Sequence, residues 1–188
     1  MTAKLVILDR DGVINKDSDG YIKSVEEWEA IPGSLEAIAR LNHFGFKVVV
    51  VTNQSGLARG LFSMAQMNAI HQKMRQELDQ VGGQLDGIFF CPHGPDDHCE
   101  CRKPLPGLLL EVRDRLGVDL NQTLVIGDSY RDLQSAWAVG AQGLLVKTGK
   151  GVNTLVRYGS ILSGTEVFTE LSSAAESIIS KSFTKASL

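Results

Sequence analysis

The chain has 188 residues, 43% of them apolar and 22% charged, enough for one ordinary domain with a core and too few for two comfortable ones. A formal net charge of −3 lacks the basic excess that would suggest a nucleic-acid partner or an anionic membrane surface, so an anionic ligand must be met by local positive groups. The opening "MTAKLVILDRDG" has too short an apolar run before Asp9 for a signal peptide or a membrane span, and three cysteines cannot close a disulfide framework. A single domain over 1–188 is expected, cytoplasmic, without a membrane partner, and by default a monomer.

Short apolar, β-branched runs recur along the chain, alternating with helical spacing. "KLVILD" reads as a first strand, followed by a helix carrying Leu35, Ile38, Ala39 and Leu41. "KVVVVTN" reads as a second strand, followed by Met64, Met67, Ile70, Met74, Leu78 and Val81, a methionine-rich stripe assigned to core packing. "GIFFCPH" precedes a helix with Leu109, Val112 and Leu116, and "TLVIGD" one with Leu133, Ala136 and Trp137. "GLLVKT" is a fifth strand, and "TEVF" with "LSSAAESII" suggests a last edge strand and a helix in an otherwise weakly periodic tail. Gly45, Gly82, Gly117 and Gly140 fall where helix C-terminal caps are expected. The strands have too few polar interruptions to face water, which gives an α/β fold: a doubly wound, Rossmann-like parallel sheet with helices on both faces.

Polar residues gather at the carboxyl ends of these strands: Asp9 and Asp11 after the first, Thr52 and Asn53 after the second, Asp128 after the fourth. Any one alone would be a turn residue or helix cap, but together they line the edge where open α/β sheets bind ligands. In "LDRDGV", two carboxylates one residue apart, with Gly12 allowing a tight turn, can serve a hard divalent cation, and Asp128 would complete an oxygen-rich Mg²⁺ site. Asp9 could attack phosphorus to form an aspartyl-phosphate. Asp11 is placed to protonate the leaving alcohol and later to deprotonate water.

"DRDGV", "VVVTNQ", "CRKP" and "GDSYRD" resemble the four ordered motifs of the haloacid dehalogenase superfamily of phosphatases. The resemblance implies Asp9 as nucleophile, Asp11 as acid/base, Thr52 and Lys103 on the transferring phosphoryl, and Asp9, Asp11 and Asp128 at the metal. Asp132, four residues beyond Asp128, is a ligand or a partner of one, the latter preferred.

Cys91-x-His93 and Cys99-x-Cys101 supply three thiolates and an imidazole, the donor set of a closed structural zinc site, although their spacing is tighter than in common zinc fingers. His98 is a competing ligand. Zinc here would be mechanical: it would fix the entry to "RKP" so that Arg102 and Lys103 face the phosphate site without ordering two long side chains from a loose loop.

The zinc loop combined with the four motifs resembles the heptose-bisphosphate phosphatases within the superfamily, and also the histidinol-phosphate phosphatases. The heptose branch implies substrate contacts from Thr52, Asn53, Gln54, Ser55, Arg102 and Lys103, with Gly20 and Tyr21 as a further substrate segment. Ser129 stands where some of that branch carry Lys. Arg59, Arg102 and Lys150 exceed what one phosphoryl needs and suit a bisphosphate, whereas an amine-bearing substrate would draw on carboxylates such as Asp19. The segment from Thr52 to Lys103 leaves no room for a large cap domain. From a different class, the fold could serve as a non-catalytic binding protein, but no catalytic position carries an inert residue.

Overall fold

The computed structural model describes residues 4–186, with side chains described to residue 182; the first three residues of the opening stretch and the last two of the chain lie outside it. Its sheet has six parallel strands: β1 (Leu5–Leu8), β2 (Lys47–Asn53), β3 (Gly87–Cys91), β4 (Leu124–Gly127), β5 (Gln142–Val146) and β6 (Glu166–Phe168), in the order β3-β2-β1-β4-β5-β6. Leu8 registers with Val50 on one side and Ile126 on the other. The helices are α1 (Ser34–His43), α2 (Met64–Gln80), α3 (Gly107–Leu116), α4 (Tyr130–Trp137), α5 (Gly151–Tyr158) and α6 (Leu171–Ala186).

Period-two alternation inside each apolar strand feeds two cores. Val6, Leu8, Val48 and Val50 pack with Ile38 and Leu41 of α1, Ile70 and Met74 of α2, and Ala174 and Ala175 of α6. Leu5, Ile7, Val49 and Val51 pack on the other face with Leu108, Leu109 and Val112 of α3 and Ala136 of α4. A one-residue slip of β1 would exchange the faces of every side chain in it, so the register that places the polar strand ends is tightly held.

The helix signals in the sequence map closely. Gly45, Gly82, Gly117 and Gly140 all have positive φ, between 63° and 80°. Ser63 and Gln66 form a reciprocal capping box at the start of α2. Within the methionine stripe, Met67, Ile70, Met74 and Leu78 are buried, while Met64 and Val81 at the two ends of the helix are exposed. Trp137 is also substantially exposed; it sits edge-on to Tyr130 at the end of α4 rather than in the core. Helix α5 buries Gly151 and Thr154, lays Leu155 and Tyr158 against the cluster of Leu133, Leu145 and Leu162, and leaves Val156 83% exposed.

The strand order places β1 beside β4 at the centre, with the chain winding outward from them in opposite directions. That is the topological switch point at which a crevice opens beyond the carboxyl ends. The segments 9–33 and 92–106 that border the crevice are loops with no named helix or strand. The first is anchored by the buried Trp28 and by Lys73 of α2, whose ammonium donates to the Val25 and Trp28 carbonyls at 2.9 and 2.9 Å. Among the described residues no helix is long and apolar enough to cross a membrane.

Candidate active site

At the mouth of β1 the chain turns sharply into the crevice. The Asp9 amide still donates to the Ile126 carbonyl of β4 at 3.0 Å, and the Arg10 amide donates back to Asp9 Oδ1 at 2.8 Å. Gly12 follows with φ 83°, and a Cβ there would lie 2.1 Å from Asp128 Oδ2; a Cβ on Gly149 would lie 2.2 Å from the same atom. The two glycines thus let two loops close on the Asp128 carboxylate, which also accepts the Lys150 amide at 2.7 Å.

Asp9, Asp128 and Asp132 each bring a carboxylate oxygen within 4.8 Å of the others. Among the described residues, Lys103 is the buried cation that answers them. Its ammonium lies 3.1 Å from Asp9 and 2.6 Å from Asp132, donates to the Val51 carbonyl at 2.9 Å, and leaves the residue 4% exposed. Burial pushes Asp9 up to about 6, with Lys103 opposing and Asp132 and Asp11 adding to the rise. Burial and the negative charges of Asp132 and Asp9 push Asp128 up to about 8. Asp132 is held low against its burial by Lys103 and by hydrogen bonds from Ser129, whose hydroxyl and amide donate to its Oδ2 at 2.6 and 3.0 Å. Three buried carboxylates against one ammonium leave negative charge that a hard divalent cation would neutralise, and the all-oxygen donor set fits Mg²⁺.

Asp11 sits apart from this trio. Its Oδ1 accepts from Arg10 Nε at 3.0 Å and Asn15 Nδ2 at 2.9 Å, and its Oδ2 from Arg10 Nη2 at 3.0 Å and Gln54 Nε2 at 2.8 Å. Burial would raise its pKa, but the Arg10 charge and these hydrogen bonds outweigh it and hold the carboxyl below its usual value. Both carboxylate oxygens of Asp11 are thus engaged by Arg10, Asn15 and Gln54, which fixes the plane of the group at the edge of the cleft.

At the end of β2, Gln54 Nε2 also reaches Thr52 Oγ1 at 3.0 Å. Asn53 brackets the backbone of Lys103, accepting its amide at 3.0 Å and donating to its carbonyl at 3.0 Å. Across β3 the four expected zinc ligands converge. Cys91 Sγ is 3.6 Å from Cys99 Sγ and 3.2 Å from Cys101 Sγ, and His93 Nδ1 is 3.6 Å from Cys91 Sγ and 3.3 Å from Cys101 Sγ. These are close to the edges, ~3.7 Å for two sulfurs, of a tetrahedron around an ion with ~2.3 Å bonds to sulfur. All three cysteines are free, and His98 is not part of the cluster. Arg102 Nη1 donates to the His93 carbonyl inside this loop at 3.2 Å.

Over residues 4–136 the chain matches a family model described as polynucleotide kinase 3 phosphatase, and over 100–174 one described as HAD-hydrolase-like. A Bordetella bronchiseptica protein, D-glycero-beta-D-manno-heptose-1,7-bisphosphate 7-phosphatase, is 54% identical over 94% of this chain and 98% of its own. The chain belongs to the haloacid dehalogenase-like phosphatases. A Pseudomonas aeruginosa relative of the same name is 50% identical over 95% of this chain and 99% of its own. A crystal structure of the D,D-heptose 1,7-bisphosphate phosphatase from B. bronchiseptica, complexed with magnesium and phosphate, superposes with a TM-score of 0.92 at 54% identity, covering 95% of this chain and 99% of that one.

In this phosphatase, a phosphoric monoester hydrolase by family, Asp9, Asp11, Thr52, Gln54, Ser55, Arg102, Lys103 and Asp128 line one cleft of about 350 Å³. Tyr21 also lines it with φ 64°, whereas Gly20 is off the wall and donates its amide to Ser18 Oγ in the turn that presents Tyr21. Asn53 reaches the cleft, but its amide group is spent on holding Lys103. Asn53 thus holds the Lys103 backbone, and the cysteine loop holds Arg102 through the His93 carbonyl. Arg10, Asn15 and His71 escape a reading of the sequence, because only Asn15 stands at a regular spacing from a motif residue.

Proposed function

We propose that this phosphatase removes the 7-phosphate of D-glycero-D-manno-heptose 1,7-bisphosphate, the β anomer by the names of its relatives, on a route to nucleotide-activated heptose for cell-surface polysaccharide. The observation that carries this is the pairing of the buried Asp9, Lys103 and Asp132 group with a cleft rim bearing Arg59, Arg102, Arg131 and Lys150, more positive charge than one phosphoryl group uses. Asp17 is paired with Lys150 at 2.9 Å and Asp19 also lines the cleft, so what supports the bisphosphate over histidinol phosphate is the arginine-rich rim together with the names of the relatives.

Asp9 attacks phosphorus, the bond from phosphorus to the sugar oxygen breaks, and Asp11, which must carry a proton in the substrate complex, gives it to the departing alkoxide. Water then attacks the aspartyl-phosphate, Asp11 takes the water proton, and Asp9 is released with inorganic phosphate. Lys103 and Thr52 hold the phosphoryl oxygens through transfer. Asp9 and Asp128 would hold Mg²⁺ through their carboxylates, and the cation would neutralise phosphate charge beside the nucleophile, while Asp132 fixes Lys103. Cys91, His93, Cys99 and Cys101 would hold a structural zinc. The free thiols suit a reducing compartment, so the reading includes a cytoplasmic enzyme, working as a single-domain monomer on a small sugar phosphate.

The test is phosphate release with Mg²⁺, comparing kcat/KM for the heptose bisphosphate and histidinol phosphate in one preparation, with Asp9→Ala as control. A large preference for the heptose with loss of turnover in Asp9→Ala is expected. A preference for histidinol phosphate would overturn the substrate, and full turnover by Asp9→Ala would overturn the mechanism.

A further inference from the structure

Arg10 stands between two catalytic carboxylates and is fully buried. Its guanidinium is used on two sides. Nε and Nη2 fork onto the two oxygens of Asp11 at 3.0 and 3.0 Å, and Nη1 meets His71 Nε2 at 3.3 Å. Arginine has only donors, so in this contact His71 Nε2 must accept, and its ring is neutral with the proton on Nδ1. Burial, reinforced by the Arg10 charge, pushes His71 down to about 4, in agreement with that assignment. His71 comes from the buried face of α2, 61 residues away in sequence, and its ring lies tilted against Phe90 at 6.2 Å.

We propose that His71 is a positioning residue for the proton-transfer step, acting through Arg10 to aim the Asp11 carboxylate at the leaving oxygen. A side-on guanidinium fixes the plane of a carboxylate, which a single donor does not, and a fork held at only one side can pivot. His71 closes the far side. Without an acceptor at Nε2 the buried Nη1 loses its partner, and the guanidinium must shift to regain one, carrying Asp11 with it. The neutral imidazole also adds no second positive charge beside a group that must take up and release a proton.

The inference rests on the phosphatase reading and on Asp11 as acid/base. It makes a claim that mere structural support does not: the damage depends on the leaving group. A sugar alkoxide needs a proton to depart, whereas p-nitrophenolate leaves without one. His71→Phe keeps an aromatic ring and removes the acceptor; His71→Gln can restore an acceptor oxygen near Nε2; Arg10→Lys keeps the charge and removes the fork. Wild type is first assayed on the heptose bisphosphate and p-nitrophenyl phosphate with Mg²⁺; no release from either would sink the phosphatase reading itself. Given activity, His71→Phe and Arg10→Lys are expected to lower kcat/KM on the sugar phosphate by about tenfold to a hundredfold and on p-nitrophenyl phosphate by less than about threefold, with His71→Gln near wild type on both. Equal losses on the two substrates, or no loss on the sugar phosphate, overturn the inference. If His71→Phe does not fold, Arg10→Lys carries the same comparison, and the same two results overturn the inference.

Discussion

Lys103→Met places the sharpest demand on the buried charge arrangement. The ammonium contacts Asp9 at 3.1 Å and Asp132 at 2.6 Å, and its removal leaves a fully buried carboxylate at Asp132 and a largely buried one at Asp9 without their counter-charge. Removing one member of a buried pair costs about 3–5 kcal/mol, a large share of the ~5–15 kcal/mol that holds a typical domain together. Opposing charges hold the folded-state pKa of Lys103 above its usual value, so its own contribution is constant from pH 4 to 9 and any pH dependence reports the carboxylates. Asp9 already sits at about 6 with Lys103 present and rises further without it, so the penalty comes from ionising it in the folded state. The penalty therefore grows as pH rises from 5 to 7. Urea unfolding of both proteins at the two pH values, with EDTA and with Mg²⁺, reads the difference directly. The expected result is a loss of about 3–5 kcal/mol at pH 7 in EDTA, smaller at pH 5 and partly recovered by Mg²⁺. A variant as stable as wild type at pH 7, or one with the same penalty at both pH values, would refute this account of the site.

The other predictions concern the loops and α2. Gly12→Ala forces a Cβ at φ 83° against Asp128 Oδ2, so Mg²⁺ activation should shift to higher Mg²⁺ concentration; an unchanged activation curve would show that the two loops can part without disturbing the carboxylate. Elemental analysis should find about one zinc per chain. Because Arg102, and not Lys103, is tied to the cysteine loop, removing that zinc should raise KM more than it lowers kcat; absence of stoichiometric zinc would end the claim. His71, faced by Arg10, Asp11 and Arg75, is depressed to about 4, so the stability it contributes as a neutral ring is complete above the unfolded value near 6.5 and is lost as pH falls toward 4. The stability difference between wild type and His71→Gln should narrow over that interval in thermal melts, and a constant difference would contradict the neutral assignment.

The parallel sheet was legible because β1, β2 and β4 are buried on both faces, which leaves almost continuous apolar runs. Asp9, Thr52, Lys103 and Asp128 were legible because chemistry at a strand end restricts residue type. Helix α5 was not singled out, because its 8 residues give only about two turns of pattern, with Leu155 and Tyr158 as the side chains that pack on Leu133 and Leu162. Asp11 was legible as a motif carboxylate, but the spacing of two carboxylates does not reveal that Arg10, Asn15 and Gln54 hold one of them apart from the trio around Lys103. His71 was invisible for a similar reason: a contact across 61 residues rests on how α2 crosses the sheet, and in the sequence it is one more position on an apolar helix face. Asn53 had the right address, and its hold on Lys103 appears only when the Lys103 backbone arrives beside it.

That amide bracket makes the enzyme modular. The lysine proposed to hold the reacting phosphoryl takes its position from the rigid end of β2, while the arginine next to it in sequence takes its own from the cysteine loop. Recognition and chemistry can thus diverge separately in descent. A lineage could lengthen, shorten or recompose residues 92–101 to suit another sugar or a smaller phosphate ester, and the lysine would stay seated as long as asparagine remained at 53.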